Sequence, residues 1–361
     1  MKENKVITNI EQLTPDWLTN IFKNNGYLTQ GKITEIISII PLREGSITYS
    51  LELKFSEDAQ REELSSNIVV KTLSYDDKLL RTREAKFYSI VAKTMSEKPI
   101  PTCYDSVFSE ETGLSHIILE NFSRTHEQYS EYLPSKRYFE KAIDSLAEIH
   151  AFWWDHKRLK ELSKHSFVYY PMIENSFNKK ENLQWINEQE RFLDLIEEKI
   201  SDKRRKLLKT IFSLYPQVAH ERFKKEKITL VHNDAHIFNF YFPKKSVNQK
   251  SKAILFDWEC WGVGAGCQDL VYMIGFWHFP DYRHLIEKDL IKYYHNVLLK
   301  YSVKDYSWDE CWYDYRLFAL LNLYRIVWWW SVNLKTSIWW RGLERSLLTI
   351  EDLKCMELLE K

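Results

Sequence analysis

The sequence predicts an α+β protein in two parts: an antiparallel sheet carrying one long helix, then a larger and mainly helical part. Three observations predict it. The first third is rich in alternating β-branched residues, with one helical period inserted. After Asn121 the pattern changes to amphipathic helices with charged outer faces. Most of the polar chemistry lies in a short β-type block, Ile228 to Phe256, set between those helices. A chain of 361 residues is long enough for two cores, and the boundary falls near Asn121. The predicted domains are therefore 1–121 and 122–361.

Each element has its own signal. Leu13-Thr14-Pro15-Asp16-Trp17-Leu18 offers a cap residue, Pro at a helix start and then apolar spacing, which predicts a short N-terminal helix. Ile33 to Phe55 reads as two strands around a turn containing Glu44-Gly45-Ser46, and Asn67 to Lys71 as a third. Arg81 to Ser96 has helical periodicity through Ala85, Tyr88, Val91, Ala92 and Met95, ended by Pro99 and Pro101. Cys103 to Phe108 and Ser115 to Glu120 read as strands. Tyr138–Trp154, Asn182–Ile200, Asp202–Phe223, His284–Tyr301, Trp308–Leu334 and Arg341–Leu359 read as helices, and Ile228 to Phe256 as a hairpin-like block. No internal repeat or low-complexity segment interrupts them.

Composition narrows the function. Apolar residues at 44% and charged residues at 28% are those of an ordinary globular chain. Lys plus Arg equals Asp plus Glu at 51 each, so no net field draws in nucleic acid or an anionic membrane. No signal-peptide core opens the chain, and no uncharged apolar run reaches the about 18 residues of a membrane span. Cys103, Cys260, Cys267, Cys311 and Cys355 are odd in number and lack CxxC spacing, which predicts reduced, mostly buried thiols in a cytoplasmic protein without a zinc site.

The chemistry gathers in Val231-His232-Asn233-Asp234-Ala235-His236-Ile237-Phe238-Asn239. A β-type run precedes it and Phe240-Tyr241-Phe242 follows, so Asp234 and Asn239 sit on a loop between strands. Ala253-Ile254-Leu255-Phe256-Asp257 is an apolar strand that runs into a carboxylate. Such an Asp needs a metal ion or a cation as partner. Phosphoryl transfer requires a base for the acceptor hydroxyl, oxygen ligands for Mg²⁺ and a cation for the nucleotide. Asp234 can be the base, with Asn239 and Asp257 as metal ligands. The same order of Asp, Asn and a later Asp is found in protein-kinase catalytic loops. Lys71 ends the Val69-Val70-Lys71 strand and Glu84 lies on the next helix, the pairing that orients ATP phosphates. The nucleotide-covering turn would be Arg43 to Thr48, with Gly45 and Ser46 at its centre. Singly, each residue has a plainer role as strand end, turn cap or, for His232, loop anchor. The ordered set is what points to ATP and Mg²⁺.

With these residues in place the chain resembles the aminoglycoside phosphotransferase and choline kinase superfamily, and within it the ecdysteroid kinase-like branch. The resemblance runs from Leu13-Thr14-Pro15-Asp16-Trp17-Leu18 through Lys71, Arg83-Glu84, Ile117 to Asn121 and Leu146 to Trp154. It is closest at His232 to Asn239 and at Asp257-Trp258 through Asp269-Leu270, and extends to Tyr306-Ser307-Trp308 and Asp314-Tyr315-Arg316. It implies a bilobal protein-kinase-like fold. It also implies adenine binding by the backbone of Glu120 to Phe122, α/β-phosphate binding by Lys71, support of the catalytic loop by Asp269, and His232 as loop anchor. Two positions depart from the family pattern. Asn233 stands where Gly is usual, and Asn tolerates the left-handed conformation better than other side chains. The hinge reads Glu120-Asn121-Phe122 rather than Glu-Asp-Leu.

The acceptor is less determined. Ten of the fourteen Trp lie at or after Trp258. Trp308, Trp312 and Trp329 are candidates for an aromatic acceptor pocket, against the alternative that most of these rings fill a helical core. No acidic cluster suits a polycationic aminoglycoside. The expected acceptor is a small hydroxylated metabolite or apolar alcohol, with choline or another amino-alcohol next. A nucleotide-binding pseudokinase is the alternative of a different class. Oligomeric state is not readable from the chain.

Overall fold

The computed structural model describes residues 6–42, 47–61, 64–73, 83–95, 99–131, 133–165, 179–246 and 251–359. In chain order the first elements are helix α1 (Pro15–Asn24) and strands β1 (Leu28–Gln30), β2 (Ile33–Pro41), β3 (Thr48–Phe55), β4 (Gln60–Arg61) and β5 (Asn67–Leu73). A helical segment α2 (83–94) and strands β6 (Cys103–Phe108), β7 (Ser115–Glu120) and β8 (His126–Gln128) follow. Then come α3 (Lys136–Trp153), α4 (Leu159–Leu162), α5 (Lys179–Ile196), α6 (Asp202–Phe223), β9 (Thr229–Val231), β10 (Phe240–Pro243), β11 (Ile254–Leu255) and β12 (Gly262–Gly264). Helices α7 (Cys267–Val271), α8 (Pro280–Lys300), α9 (Trp308–Leu321), α10 (Tyr324–Ser331) and α11 (Thr336–Asp352) complete the chain.

The chain divides into two compact units. The first takes residues up to Ser130 together with Asn239–Trp261, and the second takes Glu131–Phe238 and Gly262–Lys361. A single cut at 121 therefore misses an exchange of chain. Residues 239–261 join the first unit because β10 pairs antiparallel with both β11 and β8, with Tyr241 opposite Gln128. The expected hairpin-like block from Ile228 to Phe256 is for the same reason not one hairpin. Its first strand, β9, pairs instead with β12 in the second unit, Val231 opposite Gly262.

The first unit is built on an antiparallel sheet of order β2-β3-β5-β7-β6. Strand β5 is central, so Lys71 leaves it between Thr48 of β3 and Ile117 of β7. Alternation in β3 and β5 and the continuously buried run of β7 place Leu51, Ile68, Val70 and Ile118 wholly inside, against Leu18 and Phe22 of α1. Helix α1 begins as its sequence dictates, with the Thr14 hydroxyl accepting from the Trp17 N–H at 3.1 Å and Pro15 in the first turn. The α2 segment widens into a π-helix over Phe87–Val91 before tightening at Ala92–Thr94.

The second unit is helical. Helices α3 and α8 pack together, as do α7 and α9. The expected helix from Trp308 to Leu334 is broken between α9 and α10, where the Asn322 side chain donates to the Gln268 carbonyl at 3.3 Å. Helix α11 starts at Thr336, ahead of the predicted Arg341, and ends at Asp352, before a short 3-10 turn over Cys355–Leu359. A buried ion pair sets the entry to β9. Arg222 donates to both oxygens of Asp314 at 2.6 Å and to the carbonyls of Glu226 and Lys227 at 2.8 and 3.1 Å. Glu226 and Lys227 both have positive φ, so this chain reversal needs those bonds. Cys267, Cys311 and Cys355 are buried, Cys103 and Cys260 half-buried. Among the described residues no helix is long and apolar enough to cross a membrane.

Candidate active site

The first unit gathers one set of charged groups. Lys71 Nζ donates to Glu84 Oε2 at 2.6 Å and to Asp257 Oδ1 at 3.0 Å, so one ammonium bridges two carboxylates from distant parts of the chain. Glu84 is 2% exposed. Burial raises its pKa and the Lys71 charge opposes this, leaving it above the usual glutamate value. Asp257 is reached with φ 67° and ψ 60°, a left-handed conformation that costs about 1 kcal/mol or more in a non-Gly residue. Two tryptophans hold that turn. Trp258 stacks on Phe87 at 4.0 Å and donates its indole N–H to the Leu255 carbonyl at 3.1 Å. Trp261 donates to the Arg83 carbonyl at 2.8 Å. Together they tie α2, and with it Glu84, to the Asp257 turn. Trp258 entered the sequence reading only beside Asp257 in the family resemblance, and Trp261 not at all; the available signal was two Trp closely following a strand-terminal Asp.

Asn239 ends the 3-10 turn Ile237–Asn239 and is 6% exposed. Its carbonyl accepts from the Phe256 N–H at 3.1 Å, and Phe240 pairs with Leu255, so Asn239 and Asp257 leave neighbouring ends of two paired strands. This donor set suits Mg²⁺, which takes one or two protein oxygens and completes its octahedron with water and phosphate. Among the described residues no group of three or more His, Cys, Asp and Glu side chains competes for the ion. Glu120 ends β7, and Asn121 is fixed by its N–H to the Asn67 carbonyl and its amide to Ser50 Oγ at 2.8 Å. The Phe122 carbonyl accepts from Thr125 and His126, while its N–H has no hydrogen-bond partner among the described residues. Gly45 and Ser46 lie outside the described residues.

The second unit holds the loop that carries Asp234. Asp269, fully buried on α7, accepts from the backbone N–H groups of His232 and Asn233 at 2.7 Å each, and lies 3.3 Å from His150 Nε2. Burial works to raise its pKa. The hydrogen bond and charge of His150, with His232 and the backbone donors, outweigh burial and hold it below the usual aspartate value. Asn233 has φ 63°, the left-handed conformation expected where the family has Gly, and its side-chain oxygen accepts from Gln268. His232 Nδ1 accepts from the Asp234 N–H at 3.2 Å, which is a loop-anchoring contact. Asp234 itself accepts from the Tyr272 hydroxyl at 2.6 Å through Oδ1, while Oδ2 lies 3.6 Å from His236 Nε2.

The three tryptophans expected at an acceptor pocket fall into two clusters. Trp329 packs edge-on against Tyr272 and Phe276, at 6.3 and 6.2 Å between centroids, and so belongs to the rings that reach Asp234. Trp308 and Trp312 stack on each other at 5.8 Å and continue onto His295 and Tyr315. Sequence reading missed Tyr272, His236, Trp277 and Arg325. Trp277 lies 4.5 Å from the His236 ring, and the Arg325 guanidinium lies 4.6 Å over Tyr272.

Against known proteins, residues 45–306 match the model of the ecdysteroid kinase-like family. The chain belongs to that family. It is a small-molecule kinase, an ATP-dependent phosphotransferase with an alcohol group as acceptor. No match was found among curated proteins. Among solved structures, an ethanolamine kinase from Plasmodium vivax is 14% identical, with a TM-score of 0.55, covering 88% of this chain and 81% of that one. A microcompartment-associated aminopropanol kinase is 13% identical, with a TM-score of 0.53, covering 88% and 91%. A choline kinase from Cryptosporidium parvum Iowa II is 12% identical, with a TM-score of 0.52, covering 96% and 97%. At these identities the likeness is one of fold, and the fold is the bilobal, protein-kinase-like α+β one.

Proposed function

We propose that this kinase transfers the γ-phosphoryl group of ATP to a hydroxyl of a small uncharged metabolite or apolar alcohol, with Asp234 as base and Asn239 and Asp257 as Mg²⁺ ligands. Residues 1–121, joined by 239–261, serve ATP binding, and the rest of 122–361 serves catalysis and acceptor binding, in a cytoplasmic protein. The observation that carries the nucleotide half is the Lys71 ammonium between Glu84 and Asp257. Glu84, buried, aims Lys71 at the α- and β-phosphates; Asp257, with its side chain about one-third exposed, would supply a carboxylate oxygen to the metal. Bound Mg²⁺ supplies neutralisation of the phosphate charge. The Phe122 N–H, without a hydrogen-bond partner among the described residues, and the Glu120 backbone suit an adenine edge, and Asp269 holds the loop from which Asp234 would take the acceptor proton.

The acceptor class is supported by where the chain's own cations lie. An ammonium acceptor needs an open aromatic face. Among the rings in contact with Asp234, Tyr272 has the Arg325 guanidinium 4.6 Å over its face. With that face taken by a resident cation, a neutral hydroxyl compound is favoured over choline, an amino-alcohol or an aminoglycoside. The test is a panel of neutral and cationic hydroxyl compounds incubated with ATP and Mg²⁺ and read by mass spectrometry for a gained phosphoryl group. Phosphorylation of neutral alcohols, lost in Asp234→Ala and Asp257→Ala, supports the reading. Phosphorylation of ammonium compounds alone refutes the acceptor class, and ATP binding without turnover across the panel makes the chain a pseudokinase.

A further inference from the structure

We infer that the hinge selects adenine over guanine, and that Asn121 is the positioning residue that enforces the choice. The inference rests on the kinase reading above and goes beyond it, since use of ATP leaves the rank of GTP open. Its starting point is how few hydrogen-bonding groups the hinge leaves for a base. Glu120 donates its N–H to the Thr102 carbonyl at 2.9 Å, and Asn121 donates its own to the Asn67 carbonyl at 3.2 Å. The Asn121 side-chain oxygen accepts the Ser123 N–H at 2.8 Å. The Phe122 carbonyl accepts the N–H groups of Thr125 and His126 at 2.9 and 2.8 Å, which uses both of its lone pairs. From Glu120 to Ser123, the Phe122 N–H is thus the one backbone N–H without a hydrogen-bond partner among the described residues.

That single donor distinguishes the two purines. Adenine presents the acceptor N1 beside the donor N6, whereas guanine presents the acceptor O6 beside the donors N1–H and N2–H₂. The Phe122 N–H suits adenine N1. Guanine set in the same place turns its N1–H toward the Phe122 N–H, so that two donors oppose each other. A shift that brings O6 to the Phe122 N–H leaves the guanine N1–H in need of an acceptor beside it. The Phe122 carbonyl, on the same residue, is already taken by Thr125 and His126. Either way guanine leaves a buried donor unsatisfied, and this rejects the wrong base without any steric clash.

Asn121 holds this arrangement from both ends of its side chain. Besides taking the Ser123 N–H, its amide donates to Ser50 Oγ at 2.8 Å and so ties the hinge to β3. Ser50 pairs with Ile40 on β2 and with Val69 on β5, and Val69 pairs with Leu119 on β7. Cross-strand partners share a sheet face, and Val69 shares that face with Lys71 two residues on. One face therefore runs from the phosphate-binding ammonium to the Asn121 clamp. Ile40 stands on it with 57% exposure, an apolar side chain that a base ring would cover. Removing the Asn121 side chain would return the Ser123 N–H to the hinge as a second donor, available to guanine O6.

The test is calorimetric binding of ADP, GDP and IDP, each with Mg²⁺, to the full chain as wild type, Asn121→Ala, Asn121→Asp and Ser50→Ala. IDP keeps the O6 and N1–H of guanine and lacks its amino group. Wild type should prefer ADP over both GDP and IDP by about tenfold to a hundredfold, the range for one buried donor left unsatisfied. In Asn121→Ala the preference should shrink to about threefold or less, and in Ser50→Ala it should shrink in part. Asn121→Asp keeps an acceptor for the Ser123 N–H and should keep the preference. Each ratio is taken on one preparation, so a loss of folded protein lowers the number of sites and leaves the ratio unaltered. A role in stability alone would weaken ADP and GDP equally. An unchanged ratio in Asn121→Ala, or in Ser50→Ala where Asn121→Ala does not fold, overturns the assignment of Asn121. Equal wild-type affinities for ADP and GDP overturn the selection, and IDP bound as tightly as ADP overturns its hydrogen-bonding cause. Binding of none of the three by wild type instead overturns the kinase reading on which the inference rests.

Discussion

Asp269→Asn tests how the catalytic loop is held. The wild-type carboxylate accepts two backbone N–H groups at 2.7 Å, with His150 3.3 Å away, and is wholly out of contact with water. An asparagine has the same shape but only one acceptor oxygen. Its amide N–H₂ must then face either the His232 or the Asn233 N–H, leaving a buried donor unsatisfied and two donors opposed. A hydrogen bond to a charged group is worth about 1.5–3 kcal/mol, and a buried donor left without a partner costs about 1–3 kcal/mol. The expected destabilisation is about 3 kcal/mol, measured by urea unfolding. Catalysis should suffer separately. A displacement of about 1 Å in the base costs about a hundredfold in rate, and Asp234 follows directly after the two residues that Asp269 holds. Steady-state kcat, measured where the variant is fully folded, should fall by about that factor with KM for ATP unchanged. The acid limb of stability gives an independent check. A carboxylate held below the ordinary value of 3.8 contributes stability that is present above that pH and lost as pH falls through its depressed folded value. Asp269→Asn should remove that loss in the window below pH 3.8. Full kcat in a destabilised variant would show that Asp269 holds the fold and not the base. Unchanged stability would mean that the two backbone bonds contribute nothing.

Lys71→Met removes the cation between Glu84 Oε2 and Asp257 Oδ1, leaving two carboxylates without the ammonium between them. ATP affinity by calorimetry should weaken and kcat/KM fall by at least about a hundredfold, as expected for loss of a phosphate-binding charge; wild-type affinity refutes the assignment. His278, 6% exposed between Phe139 and Tyr282, is pushed down to about 4 by burial, with the Arg345 charge adding to it. Its neutral form contributes stability that is full above pH 6.5 and lost as pH falls through about 4. At about 1.4 kcal/mol per pH unit that is about 3 kcal/mol. Unfolding free energies between pH 7 and 4 should be flatter in His278→Phe, and an unchanged slope refutes the assignment.

Much of this architecture could be read directly because each element carried its own period and stop. The strands at Cys103 and Ser115 and the helix Asp202–Phe223 have the predicted ends, since alternation or 3.6-residue spacing stops there at turn or cap residues. What could not be read is non-local. Nothing in the local pattern of Phe240 to Pro243 says that its partner is His126 to Gln128, more than a hundred residues earlier, and without that pairing the block from Ile228 to Phe256 looks like one hairpin. Apolar periodicity likewise runs on through Asn322 and Leu323. Only the bond of Asn322 to the Gln268 carbonyl marks the break there.

The same distinction separates the residues proposed for phosphoryl transfer from those proposed for the acceptor. Transfer chemistry requires particular atoms, a carboxylate here and an ammonium there, so Lys71, Glu84, Asp234, Asn239 and Asp257 stand out as residue types in a fixed order. An acceptor site requires a surface, and a surface is made by whichever rings the helices happen to bring together. Trp308, Trp312 and Trp329 look equivalent in sequence, yet only Trp329 packs on the ring that touches Asp234, while Trp308 and Trp312 stack on each other. Charge sharpens the point. Arg325 reads in sequence as one basic residue in an apolar helix, but its guanidinium lies 4.6 Å over the ring of Tyr272, whose hydroxyl donates to Asp234. On the acceptor reading proposed above, that placement would keep an ammonium off the Tyr272 face. Arg325→Met should therefore raise phosphorylation of ammonium compounds relative to neutral alcohols in the same mass-spectrometric panel, and an unchanged acceptor profile would refute the exclusion.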